Sequence, residues 1–230
     1  MKKTIIIPCF NEVNTIEILI KKVKKNISID DNIILIDDFS SDGTRQIIEK
    51  INDIQIIKIF HDCNKGKGGA IKSGLQSENL NDLIIIQDAD LEYNPDEYST
   101  LIKPFLETNA DIVYGSRFLG SPSYTRIHFF WHYVANKLLT CLCNIVTNLN
   151  MTDMETGYKV FKKKVIKSIK IEEKSFGIEP EITIKLAKKK FVFYEVPVSY
   201  AGRSYEDGKK IGLKDAFSAV YCIIFYAIKS

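Results

Sequence analysis

Short runs of Leu and Ile alternate along the chain with segments whose apolar residues recur every three or four positions. Thr4-Ile5-Ile6-Ile7 predicts a strand buried on both faces and stopped by Pro8, with Asn14 placed to cap a helix through Ile16, Leu19, Ile20 and Val23. Ile33-Ile34-Leu35-Ile36 repeats the pattern and runs through Asp37-Asp38 to a helix starting near Thr44. A third strand, 54–60, leads to a Gly-rich turn at 66–69 and a helix through Ala70, Ile71 and Leu75. Leu83-Ile84-Ile85-Ile86 is the fourth, and the chain is organised around it, because it ends in Asp88, Asp90 and Glu92 at alternate positions. A helix to about Glu107 and a short strand at 111–114 follow, closed by Gly115-Ser116-Arg117.

Strands and helices alternating at this length predict an α/β domain with a mostly parallel, Rossmann-like sheet flanked by helices. Beyond it lie an amphipathic segment at 127–149, two added strands at 158–161 and 191–196 around a helix at 181–189, and a C-terminal amphipathic helix. That last helix presents Phe217, Val220, Tyr221, Ile224, Phe225 and Ile228 at helical spacing. The expected division is one domain over 1–211, with 212–230 as a helix that belongs to it or contacts a membrane or a second subunit.

At 230 residues and 45% hydrophobic content, the chain is long and apolar enough for one sizeable core. Its 32 Lys and Arg nearly balance 29 Asp and Glu, which gives no argument for nucleic acid. Five cysteines, odd in number and without metal spacing, suit reduced thiols in the cytoplasm. The longest apolar stretch, 216–228, is about 13 residues against the roughly 20 that a membrane span needs. A soluble protein, or one peripheral on the inner face of the cell membrane, is therefore expected.

In an open parallel sheet, ligands bind beyond the carboxyl ends of the strands, so the polar clusters share one rim. There Asp37 and Asp38 can accept from a base or ribose, and Gly66, Lys67, Gly68 and Gly69 can offer N–H groups and an ammonium to phosphate. Asp88, Asp90 and Glu92 present hard oxygens to Mg²⁺ or Mn²⁺, and Arg117 presents a fork of donors. A nucleoside diphosphate with its metal satisfies all four groups together. Singly, each has an ordinary reading as a turn or a surface charge. His128 and His132 lack a nearby third ligand and read as packing on an amphipathic face.

These residues carry a resemblance. Ile6-Ile7-Pro8-Cys9-Phe10-Asn11-Glu12, Ile36-Asp37-Asp38-Phe39-Ser40-Ser41-Asp42-Gly43-Thr44, Asn64-Lys65-Gly66-Lys67-Gly68, Gln87-Asp88-Ala89-Asp90 and Gly115-Ser116-Arg117 resemble, in order, the family 2 glycosyltransferases of GT-A fold. Within that family the chain looks most like the dolichol-phosphate mannose synthase branch and its bacterial polyprenyl-phosphate relatives. The likeness extends through 153–161, 176–181 and 200–204.

The resemblance implies that Pro8, Phe10, Glu12 and Asp38 hold the nucleoside, with Asn11, Asp37, Gly66, Lys67 and Ala89 among the substrate-binding positions. Asp88 and Asp90 match a metal-binding D-x-D, and Glu92 stands where mannose synthases often carry Gln. Arg117 matches a phosphate contact, while Arg203 and Lys209 lie where a basic loop, 199–211, closes over the phosphates. Asp88, Asp90 and Arg117 are then the catalytic set. Inverting transfer of a hexose from a GDP-mannose-type or UDP-glucose-type donor is implied, with a polyprenyl phosphate as acceptor and no general base required. With a sugar hydroxyl as acceptor, Glu179 or Glu181 would be the base. A dehydrogenase or a nucleotidyltransferase would want a glycine-rich loop after the first strand, where Pro8-Cys9-Phe10-Asn11-Glu12 stands. A degenerate binding module would be expected to have lost one of the acids or Arg117. Homo-oligomerisation through the amphipathic helices is the other use open to them.

Overall fold

The computed structural model describes residues 1–120, 129–202 and 213–229. The chain runs β1 (Lys3–Cys9), α1 (Ile16–Lys25), β2 (Asn32–Asp37), α2 (Thr44–Lys50), β3 (Ile56–Phe60), α3 (Gly66–Leu75) and β4 (Leu83–Ile86). A 3-10 turn at Pro95–Glu97 precedes α4 (Tyr98–Glu107) and β5 (Ile112–Ser116). Next come α5 (Phe130–Thr147), β6 (Lys159–Lys162), α6 (Lys163–Ile166), α7 (Ile178–Lys188), β7 (Phe193–Pro197) and α8 (Leu213–Ile228).

The strands form one sheet of order β3-β2-β1-β4-β6-β5-β7. Ile6 lies between Ile34 and Ile86 in register. Because strand side chains alternate, Ile6, Ile34, Ile84 and Ile86 enter a core on one face, while Ile5, Ile33, Leu83 and Ile85 enter a second core on the other. The first core is closed by α3, α5, α7 and α8, and the second by α1, α2 and α4, through residues such as Ile71, Leu139, Ile182 and Ile223 against Leu19, Ile48 and Leu101. Ala219, Cys222, Ile223 and Tyr226 of α8 are buried, so this helix shares the first core.

Several boundaries differ from the sequence reading, each for a local reason. Pro8 does not end β1. The Gln87 N–H donates to Ile6 C=O, so the backbone of residue 8 faces β4, and only that ladder stops for want of a proline N–H. Pairing to β2 continues through Cys9 and Asp37. Thr15 rather than Asn14 precedes α1, and its hydroxyl donates to the Glu12 carboxylate at 2.8 Å. Helix α7 begins at Ile178, because Pro180 falls in the first turn, where no intrahelical donor is needed.

The strand at 159–162 is not added at an edge. β6 is inserted antiparallel between β4 and β5, with Lys159 opposite both Ile86 and Tyr114. Its start therefore lies at the carboxyl ends of its neighbours, and the loop leading into it, residues 153–158, is delivered to the ligand-binding rim.

Candidate active site

A cleft of about 380 Å³ opens at that rim. Its wall includes Pro8, Phe10, Glu12, Asp38, Gly66, Lys67, Asp88, Ala89, Asp90, Glu92, Arg117 and Glu179, so the structure brings together most of the residues singled out from sequence. Asn11 and Asp37 stand outside it. Asn11 adopts a left-handed φ of 55° and holds the next loop, accepting from the Ser41 N–H at 2.9 Å. Asp37 is fully buried and takes the Arg45 Nε at 2.6 Å. His128, Arg203 and Lys209 lie outside the described residues.

Asp38 anchors the start of α3. Its Oδ1 accepts from the Lys65 N–H and its Oδ2 from the Gly66 N–H, both at 2.8 Å, and His61 Nδ1 lies 2.6 Å from Oδ1. The far His61 nitrogen is 2.8 Å from Ser73 Oγ. The anion at this helix start is thus the protein's own carboxylate, on which the N–H groups of Lys65 and Gly66 are spent. Another cause accounts for the glycines. The backbone at 173–174 crosses over the helix end, and a Cβ on Gly66 or Gly68 would collide with the carbonyl of Lys174 or Glu173. Glu181 secures that crossing, accepting from the N–H groups of Glu172 and Glu173 at 2.7 and 2.9 Å. It therefore faces away from the cleft and is no candidate base.

The acids after β4 do not converge as expected. The strand ends at Ile86, and Leu91 turns the chain with φ 63°, so the alternation of a strand no longer applies. Among the described residues no group of three His, Cys, Asp or Glu side chains is positioned to hold an ion. Glu92 instead accepts from Tyr200 Oη at 2.6 Å. Asp90 Oδ1 accepts from the Glu92 N–H at 3.1 Å, and Asp88 pairs with Lys67 at 2.9 Å. Two carboxylates on the cleft wall still fit Mg²⁺ or Mn²⁺, since such ions bound beside a diphosphate draw their other ligands from phosphate and water. Gln87 fixes the approach to this segment, accepting from the hydroxyls of Tyr98 and Tyr158 and donating to the Asp88 carbonyl at 3.0 Å.

Arg117 reaches the cleft from the end of β5, with its fork bound to Asp153. Burial opposes charge on this guanidinium, but Asp153 outweighs it and holds its pKa above the ordinary value. Lys67 is held protonated in the same way: burial works against it, and Asp88 and Glu179 prevail. Glu179 Oε1 lies 3.1 Å from Lys67, while its Oε2 is buried without a hydrogen-bond partner, as is Oε1 of Glu155. Burial first, then the Glu179 charge, pushes the Glu155 carboxyl up to about 8, so it is largely protonated at neutral pH.

Tyr93, Glu155, Gly157, Phe176 and Tyr200 also line the cleft, yet the sequence assigned them no role. The inserted β6 explains Glu155 and Gly157, since no periodic signal shows that the loop before an antiparallel strand returns to the rim. Tyr200 and Tyr93 pack with their rings tilted by 56° and centroids 5.2 Å apart, and both are phenols held neutral by burial.

Several known proteins are similar to this chain in fold or in sequence. Glucosyl-3-phosphoglycerate synthase from Mycobacterium tuberculosis, solved with Mn²⁺, uridine diphosphate and phosphoglyceric acid, superposes with a TM-score of 0.74 at 15% identity, covering 99% of this chain and 78% of that one. Its form with Mg²⁺ and uridine diphosphate gives 0.73 at 16% identity, covering 98% and 79%. A UDP-N-acetylglucosamine–dolichyl-phosphate N-acetylglucosaminyltransferase from Methanococcus voltae is 28% identical, over 96% of this chain and 94% of its own. An undecaprenyl-phosphate mannosyltransferase from Micrococcus luteus is 25% identical, over 92% and 88%. Residues 4–170 match the family described as glycosyl transferase family 2, and with its seven-stranded GT-A sheet the chain belongs to that family and is a glycosyltransferase.

Proposed function

We propose that the protein moves a hexose from a nucleoside-diphosphate sugar to a polyprenyl phosphate at a membrane surface. Pro8, Phe10, Glu12, Asp88 and Asp90 line the cleft; the first three would hold the nucleoside, and Asp88 and Asp90 would hold Mg²⁺ or Mn²⁺. When bound, the ion supplies charge stabilisation to the leaving diphosphate. Among the described residues, Arg117, oriented by Asp153, and Lys67 are the cationic side chains lining the cleft, placed to act on that developing charge.

One observation carries the choice of acceptor: an apolar face begins at the cleft rim. Phe118, next to Arg117, meets Tyr133 of α5 edge-on with centroids 5.2 Å apart. From there Phe129, Phe130, Trp131 and Leu138 lie exposed, and α8, packed beside α5, exposes Phe217, Tyr221, Ile224 and Ile228. No helix among the described residues is long and apolar enough to cross a membrane, so a lipid acceptor would be met from one side. The two curated relatives are named for transfer to dolichyl and undecaprenyl phosphates. A phosphate acceptor is already an anion and needs no base, which suits a cleft where Glu155 is largely protonated and Glu179 is paired with Lys67.

Radiolabelled UDP-N-acetylglucosamine, UDP-glucose and GDP-mannose, each offered with a short-chain polyprenyl phosphate and Mn²⁺, test this reading. Label should pass into the organic phase with one donor. Transfer only to a soluble sugar hydroxyl would overturn it and turn attention to the unpartnered Glu179 Oε2 as the base.

A further inference from the structure

Lys67 lies one residue inside α3, and its ammonium is 2.9 and 3.2 Å from the two carboxylate oxygens of Asp88 and 3.1 Å from Glu179 Oε1. It is firmly mounted. The preceding N–H groups, of Lys65 and Gly66, are bound to Asp38, the Gly69 N–H donates to Lys174 C=O at 3.2 Å, and the 173–174 backbone closes over Gly66 and Gly68. Asp88 is confined too, because Gly157 packs so tightly that a Cβ there would collide with Oδ2. The ammonium and an incoming cation thus compete for one carboxylate.

We propose that Lys67 is a built-in placeholder cation, which neutralises Asp88 until a nucleoside diphosphate draws the ammonium to its phosphates and releases Asp88 to the divalent ion. This rests on the metal–nucleotide reading above and deepens it. With Lys67 in place, a divalent ion meets a carboxylate already neutralised and a positive charge beside it, so it binds poorly alone. A diphosphate entering without a cation meets Asp88, Asp90 and Glu179. Each ligand removes the obstacle to the other, so nucleotide and ion bind with positive coupling, and that coupling is reciprocal.

Electron paramagnetic resonance of Mn²⁺ titrated into the full chain, alone and with saturating uridine or guanosine diphosphate, tests it. Lys67→Met should bind Mn²⁺ alone about tenfold more tightly than the wild type while binding nucleotide less tightly, opposite shifts that general loosening of the site would not produce. Lys67→Arg, which keeps the charge, should behave as the wild type. A folded Lys67→Met whose nucleotide-free Mn²⁺ affinity equals or falls below the wild-type value overturns the placeholder and leaves the Asp88 and Asp90 assignment standing. No Mn²⁺ bound by the wild type in any state, nucleotide included, removes that assignment and the placeholder with it. If Lys67→Met does not fold, Lys67→Gln carries the same comparison, since it keeps a donor toward Asp88 without the charge.

Discussion

Arg117 and Asp153 meet fork to fork, with Nε donating to Oδ2 and Nη2 to Oδ1, each at 2.7 Å. The Arg117 N–H adds a third bond to Asp153 at 3.0 Å, and Asn136 of α5 a fourth at 3.1 Å. One buried carboxylate therefore ties together the end of β5, the loop before β6 and the helix that carries the exposed aromatic face. The guanidinium also lies over the Tyr200 ring, 5.0 Å from its centroid, so it enters the cleft with its orientation set before any phosphate arrives.

Asp153→Asn should be strongly destabilising. It leaves the buried guanidinium without its counter-ion, and breaking such a pair costs roughly 3–5 kcal/mol. Urea denaturation measures it. An unchanged midpoint and slope would show that the pair does not hold this end of the cleft together.

Stability should fall between about pH 4.5 and about pH 8, and Glu155 should account for part of the slope. Its folded-state carboxyl is pushed up to about 8 from 4.5, by burial before the Glu179 charge, so across that window the folded chain keeps a proton that the unfolded chain has lost. Stability then decreases with rising pH until the folded carboxyl ionises as well. Burial lowers Lys159 to about 8, which gives the opposite slope above that pH. Glu155→Gln should flatten the lower limb and be more stable than the wild type near its upper end. Parallel curves of urea midpoint against pH for the two proteins would remove Glu155 from the account.

Most of the parallel half of the fold could be read from the sequence, because a four-residue run of Ile and Leu bounded by polar turns fits a strand buried on both faces and little else. The antiparallel insertion could not. Lys159-Val160-Phe161 has the composition of a strand, but nothing in it names its neighbours, so the return of Glu155 and Gly157 to the rim stayed hidden. At the site, residue types were legible while partners were not. Asp38 and Lys67 both line the cleft, but no spacing along the chain shows that one is spent on the N–H groups of Lys65 and Gly66 and the other on Asp88 and Glu179. The glycines opening α3 suggested phosphate, when the close crossing at 173–174 is enough to require Gly66 and Gly68.

Asp38→Ala should loosen α3 from its first turn. The carboxylate accepts two backbone N–H groups and contacts the buried His61; Gly66 keeps a second acceptor in Asn64 Oδ1 at 3.1 Å, so the loss falls mainly on Lys65 and His61, at about 1 kcal/mol for each hydrogen bond removed. Hydrogen exchange at the amides of Lys65 and Gly66 should accelerate far more than at Ile5 and Ile34 in the sheet. Equal protection at Lys65 in the variant and the wild type would mean that some other group holds the helix end.

The two sides of α8 make opposite predictions, which separates membrane contact from packing. Ile223 and Tyr226 are buried in the core, so Ile223→Ser should destabilise the protein by several kcal/mol, in the range of core truncations at about 2–5 kcal/mol, whatever the solvent contains. Ile224 and Ile228 are exposed, 55% and 80%, and their replacement by Ser should leave the urea midpoint almost unchanged. If the exposed side lies on lipid, the same double variant, and Trp131→Ser on α5, should lose flotation with anionic liposomes, because binding scales with apolar area buried at the interface. Lys137 and Lys229, on α5 and just beyond the end of α8, would add attraction for anionic headgroups and make flotation sensitive to salt. If a second copy covers the face instead, the wild type should sediment as a dimer that the double variant dissociates, and neither protein should float. A monomer that stays in the soluble fraction with and without the substitutions would refute both uses of the face.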